Sequence, residues 1–272
     1  MKKIQIAAAF IAALLFSAPL WAQQTEQLVV PLSEPGKPFQ LNIELIAGSI
    51  KVVSYAGKDV VIDVQSEADK KSDKREGSGG MKKINMGRAM DVSAEEKNNK
   101  VHINSQTWKG PINFTIKVPQ SEAKLKLSTI NDGDISVSDV NGEMEVSNVN
   151  GAVTLSNVSG SAVVNTVNGG VKVNLKSIDP KAAMAFSSLN GNVDVTFPAT
   201  LKANVKLKSD QGDIYSDFDI TADPSQPKVN KTNSGGTFRI NIESWVYGKI
   251  NAGGPELMMK TMNGNIYIRK AK

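Results

Sequence analysis

Asp132-Gly133-Asp134-Ile135-Ser136-Val137, Asn141-Gly142-Glu143-Met144-Glu145-Val146, Asn150-Gly151-Ala152-Val153-Thr154-Leu155, Ser159-Gly160-Ser161-Ala162-Val163-Val164 and Asn168-Gly169-Gly170-Val171-Lys172-Val173 are five consecutive copies of one nine-residue repeat. Each copy is a turn followed by an alternation. Successive side chains of a strand face opposite ways, so Ile135/Val137, Met144/Val146, Val153/Leu155, Ala162/Val164 and Val171/Val173 are expected to point inward. Asn-Gly between β-runs can also mark an antiparallel hairpin. A meander of hairpins, however, has no reason to keep one spacing over five units. A fixed short period with the same corner residue is better met by a chain winding in one direction. Glycine at each corner allows the positive φ of a sharp bend, and stacked Asn side chains can hydrogen-bond to one another. The expected fold class is therefore all-β, a single-stranded parallel β-solenoid, with the antiparallel meander as the alternative.

The corners also bound the size of one coil. After Gly169 they continue at Asn190-Gly191, Gln211-Gly212, Ser234-Gly235 and Asn263-Gly264, at spacings of 22, 21, 23 and 29. From Gly133 through Gly151 to Gly169 every second corner is 18 residues apart, so a coil of 18 that lengthens to about 22 fits the series. Corners of this series follow Thr129, Thr166, Ser188, Ser209, Thr232 and Thr261, whereas the intermediate corners, Gly142 and Gly160, follow Asp139 and Asn157. Two strands per coil is the reading adopted, and a three-sided coil of 27 residues is the alternative. The structural corners are thus Gly133, Gly142, Gly151, Gly160, Gly169, Gly191, Gly212 and Gly264.

Towards the N-terminus, Gly48-Ser49-Ile50-Lys51-Val52 and Gly57 with Val60, Ile62 and Val64 echo the spacing, so winding is expected to start near Leu41. Residues 67–100 form a charged excursion between that start and the strict repeats of 129–175. Its end alternates through Ile84, Met86, Met90 and Val92, turns at Asn98-Asn99 and resumes at Val101 and Ile103, the pattern of a hairpin. An open solenoid end is an exposed strand edge, and this hairpin with the N-terminal strands is the expected cap. Further upstream, Lys2 and Lys3, an apolar run from Ile4 to Phe16, Pro19 and the small Ala22 read as a secretory signal peptide cut after residue 22. An uncleaved anchor is the alternative, though the run is short for a span. Residues 23–272 then form one β-solenoid domain, exported to the periplasm or the cell surface.

There is no cysteine in the chain, so an exported fold must be held by its core alone. Without Lys2 and Lys3 the mature part carries 30 basic and 27 acidic residues, a net charge of +3. That is too weak a field to argue for nucleic acid or a membrane surface, and no later stretch could cross a bilayer as a helix.

The start at Gly48 to Val52, the Asn-Gly-x-Val-x-Val repeats of 131–173, and the ending Gly253-Gly254-Pro255 through Asn263-Gly264-Asn265-Ile266-Tyr267-Ile268 resemble the DUF4097 adhesin family over most of residues 41–270. The resemblance implies an exported bacterial β-repeat protein, often of Bacteroidetes-type envelopes, with an adhesin-like role. It supplies no catalytic residue to transfer.

The residues themselves favour no active site. Calcium β-rolls need an acid in every turn, and here only Asp134 and Asp213 follow a corner glycine. His102 is the single histidine and alternation turns it outward, which with no cysteine speaks against a zinc site or a nucleophilic dyad. Glu143 and Glu145 share one outer face and could form a carboxylate pair, although a solubilising surface is the simpler reading. Trp245-Val246-Tyr247 could stack on a sugar or pack over the end of the fold. No cofactor and no metal are expected. The leading expectation is a non-enzymatic envelope module that binds a surface polymer or a protein. The alternatives are a polysaccharide-active β-helix enzyme and an envelope scaffold or signalling partner without adhesive function.

Overall fold

The computed structural model describes residues 26–66, 91–105, 110–223, 229–234, 237–242 and 245–272. The signal segment 1–22, most of the excursion 67–100, Trp108 and Gly235 lie outside them. Everything described is strand or turn. In chain order the first strands are β1 (Glu26–Val30), β2 (Phe39–Ala47), β3 (Ile50–Tyr55), β4 (Val60–Ser66), β5 (Val92–Lys97), β6 (Lys100–Ser105) and β7 (Ile112–Pro119). The repeats supply β8 (Ala123–Asn131), β9 (Ile135–Ser138), β10 (Asn141–Asn150), β11 (Val153–Asn168), β12 (Val171–Ile178), β13 (Met184–Asn190) and β14 (Val193–Phe197). Then follow β15 (Ala203–Gln211), β16 (Ile214–Ser216), β17 (Ile220–Ala222), β18 (Val229–Ser234), β19 (Thr237–Ile242), β20 (Val246–Ile250), β21 (Glu256–Asn263) and β22 (Ile266–Lys270).

Twenty of these strands join in one sheet, while β18 and β19 pair antiparallel by themselves. The large sheet resolves into two ladders of parallel pairs, linked because the long β11 runs from one into the other. In one ladder β10 lies on β11 with Asn141 opposite Ser159 and Asn150 opposite Asn168. In the other, Ile135 of β9 lies opposite Val153, and Val153 opposite Val171. The same offset of 18 separates Asn150 from Asn168 in the first ladder and Asp134 from Ala152 at the foot of the second. All three pairings are parallel. The repeat strands therefore do not form the antiparallel meander, and the offset is not that of a three-sided coil.

One strand from each ladder makes a rung, and the rungs do not follow chain order. The first ladder runs β6, β2, β8, β10, β11, β13, β21, β15. The second runs β7, β3, β9, β11, β12, β14, β22, β16. At each end one rung is threaded inward. The rung β2–β3 sits between β6–β7 and β8–β9, and the C-terminal rung β21–β22 sits between β13–β14 and β15–β16. The corner series 191, 212, 235, 264 read along the sequence is accordingly corrected. In space Gly264 lies between Gly191 and Gly212. Of the expected corner at Ser234-Gly235, Ser234 ends β18 of the separate pair and Gly235 lies outside the described residues. The echo at Gly57 is also not a rung, because β4 pairs antiparallel with β1 and β7. Antiparallel strands close both ends: β5, β4 and β1 at one, β20 and β17 at the other. β5 and β6 form the expected hairpin, turning through Asn98 and Asn99 at φ 54° and 58°. Such left-handed turns match the twist of the flanking strands.

The core lies between the ladders and is almost wholly aliphatic. Ile135, Val137, Met144, Val146, Val153, Leu155, Ala162, Val164, Val171 and Val173 are all buried, so the inward phase read from the alternation holds throughout the repeats. Phe186 and Phe197 meet edge to face at 6.2 Å where the rungs widen after residue 178. Val153→Asp is expected to cost several kcal/mol, since it buries an unpaired carboxylate and removes apolar contacts. Thr154→Asp, one residue on and beside Lys172 on the outer face, is expected to change stability by less than about 0.5 kcal/mol. Urea titrations of the two variants would read this directly, and equal effects would mean the phase is wrong.

Candidate functional site

The corners come first, because they hold the outer faces in place. Gly48, Gly133, Gly151, Gly169, Gly191, Gly264 and Gly212 stack in one column, and Gly142 and Gly160 stack beneath Ala123 in a second. Positive φ explains only part of this. Gly142 and Gly160 adopt φ 132° and 107°, but Gly133, Gly151, Gly169, Gly191 and Gly212 do not have positive φ. Their requirement is close approach: a Cβ on Gly151 would stand 2.1 Å from the carbonyl oxygen of Gly133. Backbone rests on backbone at every step, which leaves no room for a side chain.

Two polar columns accompany the glycines. Asn150 donates to Asn131, Asn168 to Asn150, Asn190 to Asn168 and Asn263 to Asn190, at 2.6–2.9 Å. Just inside them, the hydroxyls of Thr129, Thr166, Ser188, Thr261 and Ser209 donate to the carbonyls of Gly48, Gly151, Gly169, Gly191 and Gly264. From β8 to β15 only the β10 rung differs. There Asn148 Nδ2 donates to Gly133 at 3.0 Å, and its buried Oδ1 is left without a partner. Asn148→Thr restores the hydroxyl used elsewhere and removes the orphan acceptor, so it is expected to raise stability by about 1 kcal/mol in a denaturant titration. A loss of stability would show that the amide matters to this corner.

The residues weighed as catalytic or metal-binding are not brought together. Asp134 Oδ1 accepts the backbone N–H of Ala152 at 2.7 Å, and Asn192 and Asn265 serve the next rungs in the same way. The Asp134 carboxylate thus secures a corner. No cluster of three metal-ligating side chains occurs among the described residues. His102 faces outward and lies opposite Asn42 and Glu95. Glu143 and Glu145 share a face as expected, but Lys124 lies 2.8 Å from the first and Lys126 3.5 Å from the second. The hydrogen bond and charge of Glu143 also push the Lys124 ammonium above its ordinary value. A cleft of about 310 Å³ opens beside this pair, bordered by Gln40, Asn98, Lys100 and Glu122. It gathers both signs of charge, with Pro38, Phe39 and Ala123 as its apolar lining.

Aromatic and cationic side chains instead collect on the outer faces at the C-terminal end. Lys206 Nζ stands 4.7 Å from the Trp245 ring centre and 5.9 Å from that of Tyr247, with Lys208 5.8 Å from Trp245. Tyr247 reaches this position because β20 pairs antiparallel with β15, placing it opposite Lys206. On the other ladder Tyr215 and Tyr267 stack at 5.2 Å and 9°, and Arg269 lies 4.9 Å from Tyr267. Arg269 is fixed by two bonds to Asp194, at 2.7 and 2.9 Å, which hold its guanidinium above its ordinary pKa. The Tyr215 hydroxyl donates to Asp213, and the carboxylate pushes the phenol up. The sequence singled out Trp245 and Tyr247. It missed Tyr215 and Tyr267, which lie far apart in the chain and are adjacent only because the last rung is threaded inward.

The family model described as Toastrack DUF4097 matches residues 123–269. A "putative cell adhesion protein" from Clostridium sporogenes is similar over 91% of this chain and 99% of its own, at 12% identity and a TM-score of 0.43. A "putative adhesin" from Bacteroides fragilis is similar over 92% and 98%, at 10% identity and a TM-score of 0.37. No curated protein matches the chain.

Proposed function

The chain belongs to the Toastrack DUF4097 family, and from that premise we propose that it is an exported, non-enzymatic envelope module whose rigid β-solenoid presents its outer faces to a surface polymer or a protein. In this reading the segment 1–22 is the signal peptide and 23–272 is one domain. Its coils wind with two strands each, at a repeat of 18 that lengthens to 22, as the steps from Asn150 to Asn168 and from Asn168 to Asn190 support. The Lys2/Lys3 start and the apolar run to Phe16 support export to the periplasm or the cell surface. No helix among the described residues is long and apolar enough to cross a membrane.

One observation carries the choice of binding over catalysis. The carboxylates best placed to act as a pair, Glu143 and Glu145, are each matched to a lysine of the neighbouring strand. A glycosidase needs one carboxyl kept protonated and the other free to attack or to activate water. Between residues 123 and 178 the corners are a few residues long, and the cleft beside Glu143 is bordered by Lys100, Lys124 and Glu122 but not by Glu145. The rings of Trp245, Tyr247, Tyr215 and Tyr267, set among lysines and Arg269, are suited to stacking on sugar rings or on a partner's side chains.

The test is to incubate the purified protein with a panel of envelope polysaccharides and follow both retention and cleavage. Retention without any new reducing ends, weakened by Tyr215→Ala or Trp245→Ala, is the expected result. Release of oligosaccharides would make the protein an enzyme. Capture of one envelope protein, with no polymer retained, would favour the scaffold role.

A further inference from the structure

The outer face of the first ladder carries a feature that the C-terminal rings do not explain. Ile46, Ile130, Val149, Val167, Leu189 and Met262 all point outward, two residues or fewer from the asparagine column. They fall on six successive strands. Leu45 lies opposite Thr129 and Ala47 opposite Asn131, which sets Ile46 beside Ile130. Thr129 opposite Asn148 and the Asn150–Asn131 bond set Ile130 beside Val149. The remaining pairings bring Val149 to Val167, Val167 to Leu189 and Leu189 to Met262. At strand spacing the stripe is about 24 Å long. Ile46, Ile130, Leu189 and Met262 are 52, 44, 42 and 41% exposed, and the two valines are half-buried. Polar residues occupy most other outward positions, and a continuous apolar patch of this kind marks an interaction surface.

The neighbouring column, two residues earlier on each strand, indicates the partner. It reads Glu44, Ser128, Ser147, Asn165, Ser187 and Lys260. A carboxylate stands at one end, an ammonium at the other, and small neutral side chains lie between. Neither Glu44 nor Lys260 has an ion-pair partner among the described residues. The pattern is complementary to its own reverse.

We propose that this stripe is a self-association surface on which a second copy of the chain docks face to face, the two stacks antiparallel about a two-fold axis that runs along the strands. The axis passes between Val149 and Val167. Each Val149 then meets Val167 of the second copy, Ile130 meets Leu189 and Ile46 meets Met262. The same operation sets Glu44 of each copy against Lys260 of the other, so two ion pairs flank one apolar seam. A two-fold interface uses the same patch on both molecules, which is what a stripe with reversed-charge ends provides. Charges at such a rim select orientation, while the desolvated aliphatic centre supplies affinity.

Sedimentation of the purified full chain at tens of micromolar is expected to show a dimer. Val149→Glu, an outward change that leaves the thermal melt intact, is expected to raise the dimer dissociation constant at least about tenfold, because it acts twice in the interface. Glu44→Lys and Lys260→Glu should each weaken the dimer by about tenfold, and the double reversal should restore it to within about threefold. A chain that stays monomeric overturns the proposal, as does a dimer indifferent to Val149→Glu. Failure of the double reversal to recover overturns the antiparallel arrangement. Monomers that float with phosphatidylethanolamine–phosphatidylglycerol vesicles through this stripe would assign it to lipid instead.

Discussion

Removing Gly253 through Lys272 is expected to abolish cooperative folding rather than to shorten the protein. In an ordinary stacked array the last unit lies at the end, and trimming it costs one unit and one interface. Here the C-terminal segment forms an interior rung. Leu257, Met259, Ile266 and Ile268 are almost fully buried, and β21 and β22 together serve four other strands. Deletion leaves β13 and β15 separated by an empty rung. It also strips Asn190 and the Gly191 carbonyl of their partners, Asn263 and Thr261. The gap could be closed only if β15 and β16 moved down by one strand spacing, about 4.8 Å. The intervening segment resists that, because Leu201 is buried and its carbonyl is held by Asn251. A thermal melt followed by circular dichroism should show no cooperative transition. A sharp melt would mean that β13 and β15 have paired directly, a register their corners at Gly191 and Gly212 would accept, and would refute the expectation.

The second large effect is a contrast between two deletions in the strict repeats. Excising Gly142 through Ser159 removes one complete turn of the winding and joins Asn141 to Gly160. Gly160 then takes the place of Gly142 beneath Ala123, Ala162 and Val164 replace Met144 and Val146, and Thr166 replaces Asn148. In the second ladder Val171 and Val173 come opposite Ile135 and Val137, where Val153 and Leu155 had been. Every later strand keeps its ladder, so the protein should remain soluble and melt cooperatively at a lower temperature. Excising only Gly142 through Asn150 sends each downstream strand to the opposite ladder. The longer step of 22 between Asn168 of β11 and Asn190 of β13 would then no longer fall on its neighbour, and the C-terminal rung could not enter its slot. That variant should be insoluble or lack a transition. If it folds as well as the longer deletion, the two-strand rung is wrong.

Much of the architecture could be read from one dimension, because it is local and repeated. Alternation marked the buried face, since a strand places every second side chain on one side. The nine-residue period of the glycines is equally local, and the Thr or Ser before them set one corner series apart from the other; that their hydroxyls donate to corner carbonyls was visible only in the structure. Even the asparagine column followed from identical residues at identical positions. Why the corners must be glycine was read less well. Positive φ is a property of one residue, whereas the backbone contact that would leave a Cβ on Gly151 only 2.1 Å from the Gly133 carbonyl oxygen exists only once two rungs are stacked.

The order of the rungs was decided by tertiary structure alone. The rungs of β13, β21 and β15 offer their neighbours the same surface: apolar side chains facing inward, a corner glycine, an asparagine or glutamine before it, and a hydroxyl that donates to a corner carbonyl. Gly212 would follow Gly191 as readily as Gly264 does, so local pattern cannot choose between them. The choice depends on how far the connections reach and on which strand the antiparallel pair β17 and β20 can cover. For the same reason the stack of Tyr215 on Tyr267 and the stripe from Ile46 to Met262 were invisible in sequence. Tyr215 and Tyr267, and Ile46 and Met262 at the two ends of the stripe, come from segments widely separated from their neighbours along the chain, and only the threading of both end rungs into the stack brings them into place.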